Sequence, residues 1–146
     1  MPTRIARSEW SGGLQDGAGR VELASSGMGT YDVSFPRRTA EEAEGTTSPE
    51  ELIAAAHSAC FAMALSGAIS AAGGTTRQLH VRAEVGLGPD PNGGFHLTHI
   101  DLTVRGEVDG LNEDSFVQAA EDAKANCPVS KALTGVPIHL DAALSA

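Results

Sequence analysis

Cysteine is scarce in this chain: there are two, Cys60 and Cys127, 67 residues apart. The opening residues Met1-Pro2-Thr3-Arg4-Ile5-Ala6-Arg7 lack the apolar run of a secretory signal, so a cytoplasmic location is expected. In that compartment two cysteines cannot furnish a four-thiolate zinc site, and a stable structural disulfide is disfavoured. Basic residues are also few, 10 Lys and Arg against 19 Asp and Glu, for a net charge of -9. With no Lys/Arg cluster to offset that charge, the chain should repel phosphate backbones and anionic lipid surfaces. Neither nucleic acid nor membrane is an expected partner. Linkers, repeats and low-complexity tracts are absent too, which predicts a single domain over 1–146. Charge is nearly missing from Leu52 to Ala72, a stretch long enough to span a bilayer. It is mostly Ala, Ser and Gly and contains His57, a composition that suits close helix packing in a core better than lipid.

What is present gives an α+β pattern. Arg4 to Trp10, Gly19 to Ser25 and Tyr31 to Phe35 read as short strands separated by Gly-rich turns. The acidic Glu41-Glu42-Ala43-Glu44 reads as a solvated loop. Ser48 is an N-cap, Pro49 suits the first helical position, and Glu51 stands where it would close a capping box. Gly73-Gly74 ends that helix, which is apolar nearly all round and should be buried on most sides, by a sheet and a second subunit. Leu79, Val81, Ala83, Val85 and Leu87 alternate as one face of a strand, and Pro89 to Gly94 forms a hairpin turn. On the return strand Phe95 and Leu97 have one parity and Ile100, Leu102 and Val104 the other, which predicts a bulge near Thr98-His99. A second helix is expected from Glu113 to Asn126 capped by Asn112, a short helical piece over Val129 to Thr134, and a last strand over Val136 to Ala143. The order is βββ-α-ββ-α-β around a long buried central helix.

Taken alone, Cys60 in the middle of the first helix reads as a core thiol, since free cysteine is among the most buried residue types. Cys127 abuts Pro128 where a helical piece begins, and helix N-termini lower thiol pKa. Two inert core thiols and a reactive pair are both compatible with these positions. Glu51 is expected to serve the helix cap, His57 to be a hydrogen-bonded core residue, and Trp10 and Tyr31 to be packing residues. Ser130 and Lys131 are expected to solubilise a helix end. His96 and His99 fall on opposite faces of a strand, which argues against a metal pair.

The segment Thr47-Ser48-Pro49-Glu50-Glu51-Leu52-Ile53-Ala54-Ala55-Ala56-His57-Ser58-Ala59-Cys60-Phe61-Ala62-Met63-Ala64-Leu65-Ser66 closely resembles a signature of the osmotically inducible protein C (OsmC) and organic hydroperoxide resistance family. Ala125-Asn126-Cys127-Pro128-Val129-Ser130-Lys131-Ala132-Leu133 resembles its second signature, and His57 and Pro128-Val129-Ser130 look like the OsmC branch. The resemblance covers essentially the whole chain. It implies a thiol peroxidase that uses no metal, haem or other cofactor and works as an intertwined homodimer. Its substrate class would be organic hydroperoxides and, more weakly, hydrogen peroxide, with an external dithiol such as dihydrolipoamide as reductant, in oxidative or osmotic stress defence.

By the same resemblance Cys60 matches the attacking cysteine, Cys127 the resolving one and Glu50 the acidic residue. Arg38 aligns best with the family's arginine, with Arg37 as the alternative. A free thiol has a pKa of roughly 8.5, so the thiolate needs help at neutral pH. A guanidinium about 4 Å away supplies roughly 4 kcal/mol of attraction at an effective dielectric near 20. Ten helical residues rise about 15 Å, so Glu50 and Cys60 of one helix do not share a compact site. Glu50 is therefore expected from the partner subunit, in a shared site. Phe61, Met63 and Phe95 are expected to line an apolar substrate pocket. The competing function is a non-catalytic dimer that binds an apolar ligand and carries a redox-sensing cysteine pair.

Overall fold

The computed structural model describes residues 1–145. Its elements are β1 (Arg7–Ser11), β2 (Ala18–Glu22), β3 (Thr30–Val33), α1 (Phe35–Arg38), α2 (Pro49–Ala71), β4 (Thr75–Pro89), β5 (Phe95–Asp109), α3 (Glu113–Asn126), α4 (Pro128–Ala132) and β6 (Ile138–Leu144). The α+β class and the order of the main elements match the sequence pattern, with α1 as a short addition and α4 at the short helical piece expected after Cys127. The chain divides into two compact units, Met1–Leu52 and Ile53–Ala146.

The first unit is an antiparallel sheet in the order β1-β2-β3, with Arg7 opposite Glu22 and Gly19 opposite Val33. Among its described residues only Val21 is a buried hydrophobic, while Ile5, Trp10, Leu14, Met28 and Tyr31 are exposed. Trp10 and Tyr31, expected as packing residues, lie against Gly19 and Gly29 and keep 45% and 41% of their surface exposed. The strand expected to reach Phe35 stops at Val33. Ser34 takes extended backbone and its hydroxyl accepts from Arg37 N–H, while Pro36, with its fixed φ, sits in the first turn of α1.

Ser48 Oγ accepts from the Glu51 N–H at 3.1 Å, as its place before Pro49 predicts. The other half of the expected capping box does not form: the Glu51 carboxylate accepts from the Thr47 hydroxyl instead. Glu50 and Glu51 sit in the first turn of α2, at the positive end of the helix dipole.

In the second unit the sheet order is β4-β5-β6. β4 and β5 are antiparallel, and β5 and β6 are parallel. The pairing shifts where Gly86 faces His99 and Leu87 faces Leu97, leaving Thr98 as the extra residue. That bulge resets the parity, so Leu97 joins Ile100, Leu102 and Val104 on the face shared with Leu79 to Leu87. The core combines Phe61, Leu65 and Ile69 of α2, Ile100, Leu102 and Val104 of β5, and Phe116, Ala119, Ala120 and Ala123 of α3. Burying the large members of this set contributes about 1.5–3 kcal/mol each. A Cβ on Gly106 would lie 2.8 Å from the Phe116 ring, so the glycine is what lets that ring lie on the sheet. The Asn112 side chain accepts from Ser115 N–H and Ser115 Oγ accepts from Asn112 N–H, a reciprocal cap that starts α3 where expected.

α2 is less covered than its composition suggests. His57, Phe61, Leu65 and Ile69 form one buried stripe at helical spacing. Ala55, Ala59, Met63 and Gly67, on the opposite face, are exposed. By length and composition alone α2 is apolar enough to cross a membrane, and only 22% of that apolar window is buried in the single chain. Burial on most sides is therefore not achieved by the described elements of the second unit.

Candidate functional site

Cys60 lies on α2 one residue before the buried Phe61 and is half-buried, whereas Cys127 is fully buried. Cys127 closes α3 and opens α4. Its N–H donates to Ala123 O at 2.8 Å, and Pro128, which has no N–H to donate, begins the next helix in a new direction. This junction brings the Cys127 sulfur to 3.0 Å from that of Cys60, with both cysteines free. A disulfide bond is about 2.05 Å long, so closing one asks each sulfur to move roughly half an ångström. The sequence left the two cysteines to be joined by the fold, and the fold joins them.

The environments of the two sulfurs differ. Burial pushes the Cys60 thiol above its ordinary value, and contact with Cys127 pushes it further, against one opposing hydrogen bond from Val129 N–H. Burial also acts to raise Cys127, but donors outweigh it: the Cys60 thiol, the Ser130 N–H and hydroxyl, and the Val129 N–H leave Cys127 below its ordinary value. Within this unit Cys127 is the more acidic of the two thiols.

His57 stands one helical turn before Phe61 on the buried stripe of α2, fully buried, and its Nε2 lies 2.7 Å from Ser130 Oγ. The hydrogen-bonded core histidine expected from the sequence is what the structure holds. Burial lowers its pKa. Ser130 overturns its expected role at a soluble helix end: it is 5% exposed and faces inward. The signal for that was available only through the spacing of Ser130 from Cys127, one turn of α4.

In the first unit Arg38 grips Glu50. Arg38 Nε donates to both carboxylate oxygens at 3.1 and 3.2 Å, and Nη2 donates to Oε1 at 2.7 Å. Glu50 is buried and Arg38 partly so. Arg37 turns elsewhere, to Glu44 at 2.8 Å and to the Glu42 carbonyl at 3.3 Å. The tandem arginines that the sequence leaves as alternatives thus have different partners. A cavity of about 260 Å³ adjoins Arg38 in this unit, walled mainly by Trp10, Leu14, Val33, Phe35 and Pro49. Phe61, Met63 and Phe95, expected to line an apolar pocket, are in different surroundings in the second unit. Phe61 is consumed by the core, and Met63 and Phe95 are 73% and 54% exposed.

An α+β chain that sets a half-buried thiol against a buried one, each on a helix, has the build of a cysteine-based redox protein. Residues 41–141 match the OsmC-like protein family, and the chain belongs to that family. It is 38% identical over 127 residues, 87% of either chain, to a protein of Escherichia coli named peroxiredoxin OsmC. An organic hydroperoxide resistance protein from Elizabethkingia anophelis superposes with a TM-score of 0.77 at 28% identity, covering 99% of both chains. The organic hydroperoxide resistance protein OhrB of Bacillus subtilis gives 0.70 at 26% identity, with 97% and 98% covered. These likenesses support a redox, peroxidase-type role at the level of the family.

Proposed function

We propose that the protein reduces organic hydroperoxides, and hydrogen peroxide more weakly, to alcohols in the cytoplasm during oxidative or osmotic stress. The observation that carries this reading is the 3.0 Å approach of a half-buried Cys60 to a fully buried Cys127. The more accessible sulfur meets the peroxide and the enclosed one resolves it. Cys60 thiolate attacks the O–O bond, takes one oxygen as a sulfenic acid and releases the alcohol. Cys127 then attacks the Cys60 sulfur, water leaves, and the disulfide blocks further oxidation. A dithiol such as dihydrolipoamide returns both thiols, so the protein itself needs no bound metal, haem or other cofactor.

The charge distribution in the second unit gives this chemistry a requirement. Cys60 is the thiol raised above its ordinary value there, and a cation beside it would favour the thiolate that attacks. Arg38, steadied by buried Glu50, is the side chain assigned to that task. Glu50 and Cys60 are ten residues apart on one helix, about 15 Å of rise, so the pair is assigned to the partner subunit. The uncovered face of α2 and the exposed apolar residues of the first unit support an intertwined homodimer with shared sites.

The deciding experiment is steady-state turnover of cumene hydroperoxide, an alkyl hydroperoxide and hydrogen peroxide with dihydrolipoamide, for wild type, Cys60→Ser and Cys127→Ser. Both variants should lose turnover. An active Cys60→Ser beside an inactive Cys127→Ser would reverse the roles. Oxidation of wild type no faster than free cysteine would favour the apolar-ligand-binding redox sensor. A monodisperse, fully active monomer would sink the shared site.

A further inference from the structure

The apolar stripe of α2 carries one polar residue, His57, between Ile53 and Phe61, in a place where a leucine would pack without leaving a polar atom. Its Nε2 contacts Ser130 Oγ, and its Nδ1 is buried with no partner. Ser130, itself buried, follows Cys127 by three residues in the first turn of α4, and its hydroxyl and N–H are among the groups that lower the Cys127 thiol. The serine has one proton to give, and two arrangements are possible. If it gives that proton to Nε2, His57 must carry hydrogen on Nδ1, leaving a buried N–H donor unpaired. If it gives the proton to the sulfur, Nε2–H donates to Ser130 Oγ and Nδ1 is a bare acceptor. Orphaned buried donors are the rarer and costlier kind, so the second arrangement is favoured.

We propose that Ser130, oriented by His57, is a positioning residue for disulfide closure, its hydroxyl donating to Cys127 so that this sulfur is poised to attack the Cys60 sulfenic acid. This rests on the peroxidase reading above. In the step the Cys127 sulfur bonds to the Cys60 sulfur and the S–O bond of the sulfenic acid breaks. The oxygen leaves as hydroxide and takes up the proton Cys127 gave away, forming water. Cys60 and Cys127 end as the oxidised disulfide, the hydroperoxide having supplied the oxidation. Ser130 and His57 keep their own protons throughout. The stretch from His57 through Ser130 and Cys127 to Cys60 gives a histidine on a core stripe a role.

The test has two arms. In the first, single-turnover reaction with cumene hydroperoxide is quenched over time, following sulfenic acid by dimedone labelling and disulfide by mass. Ser130→Ala and His57→Leu should each slow closure about 10-fold more than they slow peroxide attack, the loss expected for one hydrogen bond to a charged atom. Ser130→Thr and His57→Gln, which keep the hydroxyl and an N–H donor, should restore most of it, a rescue that loss of packing would not predict. Closure at the wild-type rate in Ser130→Ala, or no difference between His57→Gln and His57→Leu, overturns the proposal. The second arm needs no peroxide: ultraviolet thiolate absorbance of reduced Cys60→Ser protein at neutral pH reports Cys127 alone. Adding Ser130→Ala should diminish that signal, and an undiminished signal overturns the proposal. If wild type fails to react with peroxide yet Ser130 still controls the thiolate signal, the peroxidase reading falls, the role in closure falls with it, and only the hydrogen bond to Cys127 stands.

Discussion

The two neighbouring arginines offer a controlled comparison of buried and exposed charge. At 2.7 Å and an effective dielectric near 20, the gross attraction between Arg38 and Glu50 is about 6 kcal/mol. Desolvation of Glu50, whose side chain is 9% exposed, and water contact at Arg38, 34% exposed, remove most of that. What remains should be near a charge-assisted hydrogen bond, about 1–2 kcal/mol. Arg37 and Glu44 are separated by a similar 2.8 Å but are 40% and 62% exposed. Their coupling should be about 0–0.5 kcal/mol. Two double-mutant cycles measure this, Arg38→Gln with Glu50→Gln and Arg37→Gln with Glu44→Gln, by urea unfolding at one fixed protomer concentration. Stopped-flow peroxide oxidation of the same proteins gives the functional counterpart. Loss of a unit of thiol pKa stabilisation corresponds to about 10-fold, expected for Arg38→Gln and not for Arg37→Gln. Equal coupling energies in the two cycles, or equal rates for the two arginine variants, would refute the reasoning.

Four other outcomes follow from particular contacts. Burial and then contact with Cys127 raise the Cys60 thiol, so Cys127→Ser, which removes the neighbouring thiol, should lower the Cys60 pKa in an ultraviolet thiolate titration; a rise would contradict that cause. The same variant should accumulate a dimedone-reactive sulfenic acid after one equivalent of peroxide. Gly106→Ala should cost about 1–3 kcal/mol by forcing a Cβ to 2.8 Å from the Phe116 ring, and Gly106→Ala combined with Phe116→Leu should recover part of it by chemical denaturation. For His57, burial holds the folded-state pKa below the ordinary 6.5, so the unfolded chain binds that proton more readily. Its contribution is intact above about 6.5, declines as pH falls toward the folded value, and levels off below it. His57→Gln should flatten that part of the profile of urea midpoint against pH, and an unchanged profile would reject the assignment.

Local chemistry set much of this fold in ways a sequence displays. Ser48 before Pro49, Asn112 before α3 and the glycines after α2 act within a few residues, and each begins or ends a helix where expected. Strand alternation is equally local, and the parity switch between Leu97 and Ile100 located the bulge at Thr98. The two cysteine motifs likewise marked Cys60 and Cys127 as the sulfurs to watch. Only the tertiary structure set them 3.0 Å apart, because that distance depends on how α2 and the α3–α4 junction pack across 67 intervening residues. It also decided which arginine meets Glu50, turned Ser130 inward onto His57, and spent Phe61 on the core rather than on a pocket. Each of these outcomes turns on side-chain direction at long range. Residue type and spacing restrict such directions, and the packed neighbours choose among them.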